Sequence, residues 1–190
     1  ASDYKLIDAI NDAKPEETEI ILGWSNDLMP LIKDEKSIVK WIQYPFAGVN
    51  NLPLDSFKEK NILLTNGKGI HQHAVAESAV GLLLGLTRKI AISAQNQLKE
   101  NWVDSKNLYE LYGKTMMIVG AGKIGIHLGQ IAKGFGMNTI GINRSGRKIE
   151  NMDQQFIQDE LNEVIHQADI VVNILPATKE THHLFDAALF

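Results

Sequence analysis

The sequence has no cysteine. That excludes disulfides and thiol catalysis, and it fits a reducing compartment, so a cytoplasmic location is expected. Long apolar runs are missing too. The longest, Ala79 to Leu86, is too short to span a bilayer and runs into Arg88 and Lys89, so no membrane association is expected. There is no excess of positive charge: 19 Lys and Arg stand against 23 Asp and Glu, a net charge of −4. That leaves no basic footprint for nucleic acid. The opening residues, Ala1 to Tyr4, are polar and have no apolar core behind them, so no signal peptide is read there. No repeat or low-complexity segment appears. No His/Asp/Glu set has metal-ligand spacing, because His71-x-His73 would point to opposite sides of a helix. What remains is a chain of 190 residues, 44% hydrophobic, long enough for one large or two small globular domains.

The richest segment runs from Met116 to Arg147. Met116 to Val119 is a short apolar run with no polar face, as expected of a parallel strand covered on both sides. Gly120, Gly122 and Gly125 follow in the pattern G-x-G-x-x-G. The first permits a tight turn, the second lets a pyrophosphate approach the backbone, and the third lets the next helix lie close to the strand. A helix from about Lys123 to Phe135 would aim its free N–H groups and positive dipole end at phosphates. Gly134 and Gly136 stop it, and Thr139 to Ile142 reads as the second strand. Strand, glycine turn, helix and strand in this order predict a dinucleotide-binding βαβ unit.

The end of that second strand bears on which dinucleotide. An NAD site usually carries Asp or Glu there, holding the ribose 2′-OH. This chain has Asn143, then Arg144, Ser145, Arg147 and Lys148. Asn143 does not repel a 2′-phosphate, and Arg144 is able to grip one with two parallel hydrogen bonds. NADP(H) is therefore the expected cofactor, with NAD(H) as the other possibility.

Elsewhere, apolar Leu6, Ile7 and Ile10 suggest a helix over Tyr4 to Asp12. Glu19 to Gly23, Ile38 to Gln43 and Asn61 to Thr65 read as strands alternating with helical stretches, which argues for a parallel sheet. His71 to Glu100 reads as one long helix joining two domains, with Val75, Ala79, Leu82, Leu83, Leu86, Ile90 and Ala94 at helical period. It is apolar enough all round to predict a homodimer built on it and on the connector through Trp102. Glu160 to Gln167 is amphipathic, Asp169 to Leu175 is a third strand of the second domain, and Ala177 to Thr181 begins a turn or helix. Three strands where such a sheet usually has about six suggest a fragment of a longer polypeptide. The expected domains are residues 1–70 and residues 71–190.

Four segments together resemble the D-isomer-specific 2-hydroxyacid dehydrogenase family, in particular its glyoxylate/hydroxypyruvate reductases. They are Val39 to Pro53, Ala74 to Arg88, Leu111 to Arg147, and Leu161 to Leu184 with its Leu-Pro strand end followed by Thr-x-x-Thr. The resemblance implies an α/β fold of two Rossmann-like domains, a flavodoxin-like substrate domain and an NAD(P)-binding domain, both partial here. It implies NAD(P)-dependent interconversion of a 2-keto acid and a D-2-hydroxy acid. Gly120, Gly122, Lys123, Ile124 and Gly125 correspond to the pyrophosphate turn, and Asn143 and Arg144 to the ribose-discriminating position. Leu175 and Pro176 correspond to the adenosine side of the cleft, Thr181 to the family threonine near the cofactor, and Val75 to the nicotinamide end. Ala47, Gly48 and Val49 match the loop whose N–H groups hold the substrate carboxylate.

The family's catalytic Arg, Glu and His have no counterpart in this chain and are expected beyond Phe190, so residues 1–190 alone are expected to be inactive. His71, His73, His127, His166, His182 and His183 read as structural or solvated, the last two at a helix start, and Glu77 as a hinge brace. Asp27, Asp34, Glu35 and Lys36 read as solvated helix surface. A non-catalytic NAD(P)-binding sensor or corepressor-like dimer on the same fold is the alternative.

Overall fold

A computed structural model describes residues 4–104 and 106–189. The chain divides between Lys68 and Gly69 into two compact units. The first unit contains strands β1 (Ile20–Leu22), β2 (Trp41–Tyr44) and β3 (Leu63–Asn66) and helices α1 (Met29–Lys33) and α2 (Leu54–Glu59). The strands form a parallel sheet in the order β1-β2-β3. Ile21, Ile42 and Leu64 lie side by side in register and pack with Leu31, Ile32, Phe57 and Ile62 from the helical layer. The opposite face carries exposed Leu22, Trp41 and Leu63. A polar chain also crosses that face: the Trp41 indole donates to the Thr65 hydroxyl at 2.7 Å, which donates to Gln43 Oε1 at 2.6 Å.

The expected N-terminal helix is absent. Residues 4–9 have no regular structure, and only a single 3₁₀ turn, Ile10–Asp12, follows. Tyr4, Leu6 and Ile10 are exposed. The helical period is there, but its apolar side has nothing to pack against, and packing supplies most of the stability of a short helix.

The second unit contains α3 (Gln72–Thr87), α4 (Ile90–Leu98), β4 (Thr115–Val119), α5 (Lys123–Gly134), β5 (Asn138–Asn143), β6 (Gln154–Ile157), α6 (Leu161–Val164) and β7 (Ile170–Asn173). Its four strands are parallel in the order β6-β5-β4-β7. Alternate residues of β4 serve opposite faces. Met116 and Ile118 join Leu128 and Ala132 of α5 and Ala76 of α3, while Met117 and Val119 join Leu161 and Val164 of α6. The sheet is thus covered on both sides, which accounts for the unbroken apolar run.

Four expectations need correction here. The long helix is two helices, α3 and α4, parted at Arg88 and Lys89, where Lys89 sits in the left-handed region at φ 53°. The second sheet has a further strand, β6, at its edge. Its sequence, Gln-Gln-Phe-Ile, is half polar because it borders solvent on one side. His182 and His183 lie in a turn, not at a helix start. Asp34, Glu35 and Lys36 are exposed, but they follow α1 instead of lying on it, and exposed Asp27 falls in a 3₁₀ turn.

Candidate functional site

The candidate site lies at the C-terminal ends of β4, β5 and β7. From β4 the chain winds outward through β5 and β6, then returns to place β7 on the other side of β4. That reversal opens a crevice above the strand ends, where ligands bind in open α/β sheets. Val119 is in register with Ile142 on one side and Asn173 on the other, so the loops after all three strands meet at this rim.

Gly120 opens the first loop at φ +91°, and a Cβ there would come within 2.9 Å of the backbone of Ile174 and Leu175. No side chain fits. The Gly120 and Ala121 N–H groups both donate to Ile142 O, at 3.0 and 2.9 Å, which curls the turn over the end of β5. A Cβ on Gly125 would lie 3.1 Å from Ile118 Cγ2 and 3.2 Å from Ala121 Cβ, so helix and strand touch at this point. Gly122 differs. A Cβ there would meet only Gly120 O, at 3.9 Å, so its outer side is open. Gly122 is also the N-cap of α5 and supplies no side-chain cap, which leaves the first N–H groups of the helix, on Lys123, Ile124 and Gly125, without a capping side chain. Space above the backbone, bare N–H groups and a positive dipole end fit the pyrophosphate of a dinucleotide.

Asn143 ends β5 and organises the loop behind it. Its amide donates to Arg147 O at 2.7 Å, while its Oδ1 accepts from the N–H groups of Ser145 and Gly146, at 3.0 and 2.7 Å. A carboxylate cannot make the first of these bonds. Arg147 Nε donates to Ser145 Oγ, and Arg144 stays exposed with no hydrogen bond or ion pair among the described residues.

Beyond β7, the Asn173 side chain accepts from Leu175 N–H at 3.1 Å. The Thr181 hydroxyl donates to Pro176 O at 2.6 Å and accepts from Thr178 N–H at 2.9 Å, tying the Leu-Pro strand end to the Thr-x-x-Thr segment. Glu180 in this loop is held below its ordinary carboxyl pKa, first by the Thr178 hydroxyl, with the Arg144 cation acting in the same direction. Asn173, Ile174 and Glu180 were not singled out in the sequence. Ile174 acts through its backbone and leaves no signal, whereas the spacing of Thr178 and Thr181 is a readable one.

The other expected residues are distributed as follows. Val75 is exposed on the second turn of α3. Ala47, Gly48 and Val49 follow β2 in the first unit. Ala47 O accepts from Asn66 Nδ2 at 2.7 Å, and Gly67 N–H donates to Phe46 O, so the loop is pinned to the end of β3. The N–H groups of Ala47, Gly48 and Val49 donate no hydrogen bond among the described residues. His73 and His127, from different helices, meet at 3.0 Å.

Fold and rim together define a Rossmann-type nucleotide-cofactor domain. The family model described as "D-isomer specific 2-hydroxyacid dehydrogenase, NAD binding domain" matches residues 80–190, and the chain belongs to that family. It is 30% identical over 165 residues to the D-lactate dehydrogenase of Escherichia coli, covering 85% of this chain and 49% of that one. A crystal structure of a D-isomer specific 2-hydroxyacid dehydrogenase family protein from Aeromonas salmonicida aligns with TM-score 0.80 and 36% identity, over 90% of this chain and 54% of that one. An acyclic imino acid reductase in complex with NADPH and D-Arg aligns with TM-score 0.75 and 26% identity, over 88% and 54%. The chain spans about half the length of the curated relatives it matches.

Proposed function

We propose that this chain contributes the cofactor site, and part of the substrate domain, of an enzyme interconverting a 2-keto acid and a D-2-hydroxy acid. The observation that carries the reading is the uncapped N-terminus of α5 under an open Gly122, at the point where the strand order reverses. When bound, a nicotinamide cofactor supplies hydride transfer. The protein binds and orients. In this reading Gly120, Gly122, Lys123, Ile124 and Gly125 form the pyrophosphate turn, and Asn143 and Arg144 meet the ribose. Leu175 and Pro176 border the adenosine, Thr181 lies near the cofactor, and Val75 lies toward the nicotinamide. The free N–H groups of Ala47, Gly48 and Val49 take the substrate carboxylate as a backbone nest, which needs no cationic side chain. Residues 1–70 then belong to the substrate domain and 71–190 to the cofactor domain.

The finer reading is NADPH in preference to NADH, supported by the unpaired Arg144 guanidinium and the absence of a carboxylate at Asn143. The imino acid reductase with bound NADPH shows that a related fold accepts this cofactor. A homodimer is part of the same reading, supported by exposed Leu82, Leu86, Ile90, Leu98 and Trp102 along α3, α4 and the connector. So is a cytoplasmic location, supported by the cysteine-free composition.

Gly122→Val tests the central claim. The added side chain enters open space and leaves the protein's packing untouched. The expected result is unchanged thermal stability with NADPH affinity reduced by about tenfold or more. Unchanged affinity in the full-length protein would remove the cofactor from this turn.

A further inference from the structure

Beside α5, a cleft of about 380 Å³ that includes Lys123 at the end of the glycine turn is lined by residues among which are Gln72, His73, His127, Gln130 and Glu150. Two imidazoles meet in it. His73 Nδ1 lies 3.0 Å from His127 Nε2, and the rings are nearly perpendicular, at 82°, with centroids 4.3 Å apart. The pair bridges two elements, since His73 stands on the first turn of α3 and His127 on the second turn of α5. On the far side of the first ring, Gln72 Nε2 lies 3.3 Å from His73 Nε2.

We propose that His73 and His127 form a two-imidazole site for a borderline divalent cation such as Zn²⁺, Ni²⁺ or Cu²⁺, joining α3 to α5. The meeting of two imidazoles from different helices carries the argument. With metal–nitrogen bonds of about 2.0–2.1 Å, two imidazole ligands on a tetrahedral ion stand roughly 3.3 Å apart. On a square-planar ion, neighbouring nitrogens stand about 2.8–2.9 Å apart. The rings now share a hydrogen bond at 3.0 Å, which places both nitrogens within reach of one ion. One ring nitrogen now points at the other, so binding an ion requires both rings to turn until their lone pairs converge. His73 is exposed and His127 half-buried, which leaves them room to turn.

Imidazole is the ligand these metals favour over Mg²⁺ or Ca²⁺. Turning the Gln72 amide would present its oxygen to His73 Nε2–H, fixing the tautomer in which Nδ1 is free to ligate. Ligating histidines commonly have such a partner. Among the described residues no three His, Cys, Asp or Glu side chains gather into one site, so the remaining coordination positions belong to water. Glu150 is the one carboxylate lining the cleft, and Lys123 is its one cationic amine. The site does not depend on the cofactor reading above.

The test is calorimetric titration of the full chain with ZnCl₂, NiCl₂ or CuCl₂, without cofactor. One ion per chain is expected, with Cu²⁺ bound most tightly, as the divalent affinity order requires. Either His73→Gln or His127→Gln should weaken binding by roughly tenfold or more, whereas a His182→Gln/His183→Gln double variant should bind as wild type does. Circular dichroism of each variant checks that the fold is retained. Zn²⁺ should also raise the melting temperature of the wild type but not that of His73→Gln. No binding to the wild type, equal binding by His73→Gln, or loss of binding in the His182/His183 variant would each overturn the assignment.

Discussion

Arg144 has reach and makes no hydrogen bond or ion pair among the described residues. A hydrogen bond to a charged group is worth about 1.5–3 kcal/mol. Arg144→Ala should therefore lower kcat/KM for NADPH by roughly 10- to 100-fold and leave the value for NADH nearly unchanged. Steady-state kinetics with both cofactors on the complete enzyme measure this directly. A wild-type preference for NADH, or an equal loss with both cofactors, would reduce Arg144 to solvated surface. Asp153 makes a different kind of case. One of its oxygens accepts from both the N–H and the hydroxyl of Thr139, at 2.9 and 3.0 Å, and the other lies 2.8 Å from Lys133 Nζ. The Lys133 bond first, with the Thr139 N–H and hydroxyl beside it, holds the carboxyl below its ordinary pKa, although burial pushes the other way more strongly than either Thr139 bond alone.

Thr139 is fully buried, and without Asp153 its N–H loses this acceptor, while its hydroxyl keeps Asn151 O at 3.0 Å. Asp153→Ala should cost about 1–2 kcal/mol at neutral pH, most of it from Thr139, because the Lys133 pair is exposed and screened. A depressed native pKa means that the carboxylate's contribution is fully present above its unfolded value, about 3.9, and is lost as the pH falls through the lower native value. Melting curves of wild type and variant should accordingly draw together below about pH 4. A gap that persists there would show that the carboxylate charge plays no part.

Among the elements, the break between α3 and α4 is the feature whose sign is easiest to test. In a continuous helix, Lys89→Gly would cost about 1 kcal/mol. With Lys89 at φ 53°, glycine relieves a left-handed strain of about 1–2 kcal/mol, partly offset by its own backbone entropy. The melting temperature should therefore stay level or rise, and a clear fall would restore the single helix. The break was not legible because neither proline nor glycine marks it, and the apolar period continues through Ile90 and Ala94. Strand β6 was missed for a related reason: a sheet edge needs no apolar run. The rim, by contrast, was legible because its elements are specified by residues that have few substitutes. Gly120 has backbone 2.9 Å from where a Cβ would stand, and Gly125 has a side chain at 3.1 Å. The pairing of His73 with His127 was illegible, since 54 residues separate the rings and only the packing of α3 along α5 brings them together.

For the whole molecule, the open question of assembly turns on Leu82 and Leu86, 77% and 79% exposed, together with neighbouring Ile90, Leu98 and Trp102. Apolar side chains gathered in this way mark association surfaces. Light scattering of the full-length protein at micromolar concentration should give twice the monomer mass. A monomer mass would leave this surface to some other role. The parallel sheets were readable from alternating strands and helices, whereas the absence of the N-terminal helix was not. Leu6, Ile7 and Ile10 carry the period but have no layer to cover.

The three tryptophans are unevenly shared between the units. Trp24 stacks edge-on against Phe57 at 4.7 Å, and Trp41 is tied to Thr65, so both report on the first unit. Trp102 belongs to the second unit and is 98% exposed. Intrinsic fluorescence is therefore an optical label already sorted by location. A water-borne quencher such as acrylamide extinguishes Trp102 first, and the emission that survives follows the melting of the first unit. Where two chains cover the connector, Trp102 passes from water to protein. Its emission then shifts to the blue and escapes the quencher, so association and unfolding are read from one chromophore type without attaching a dye.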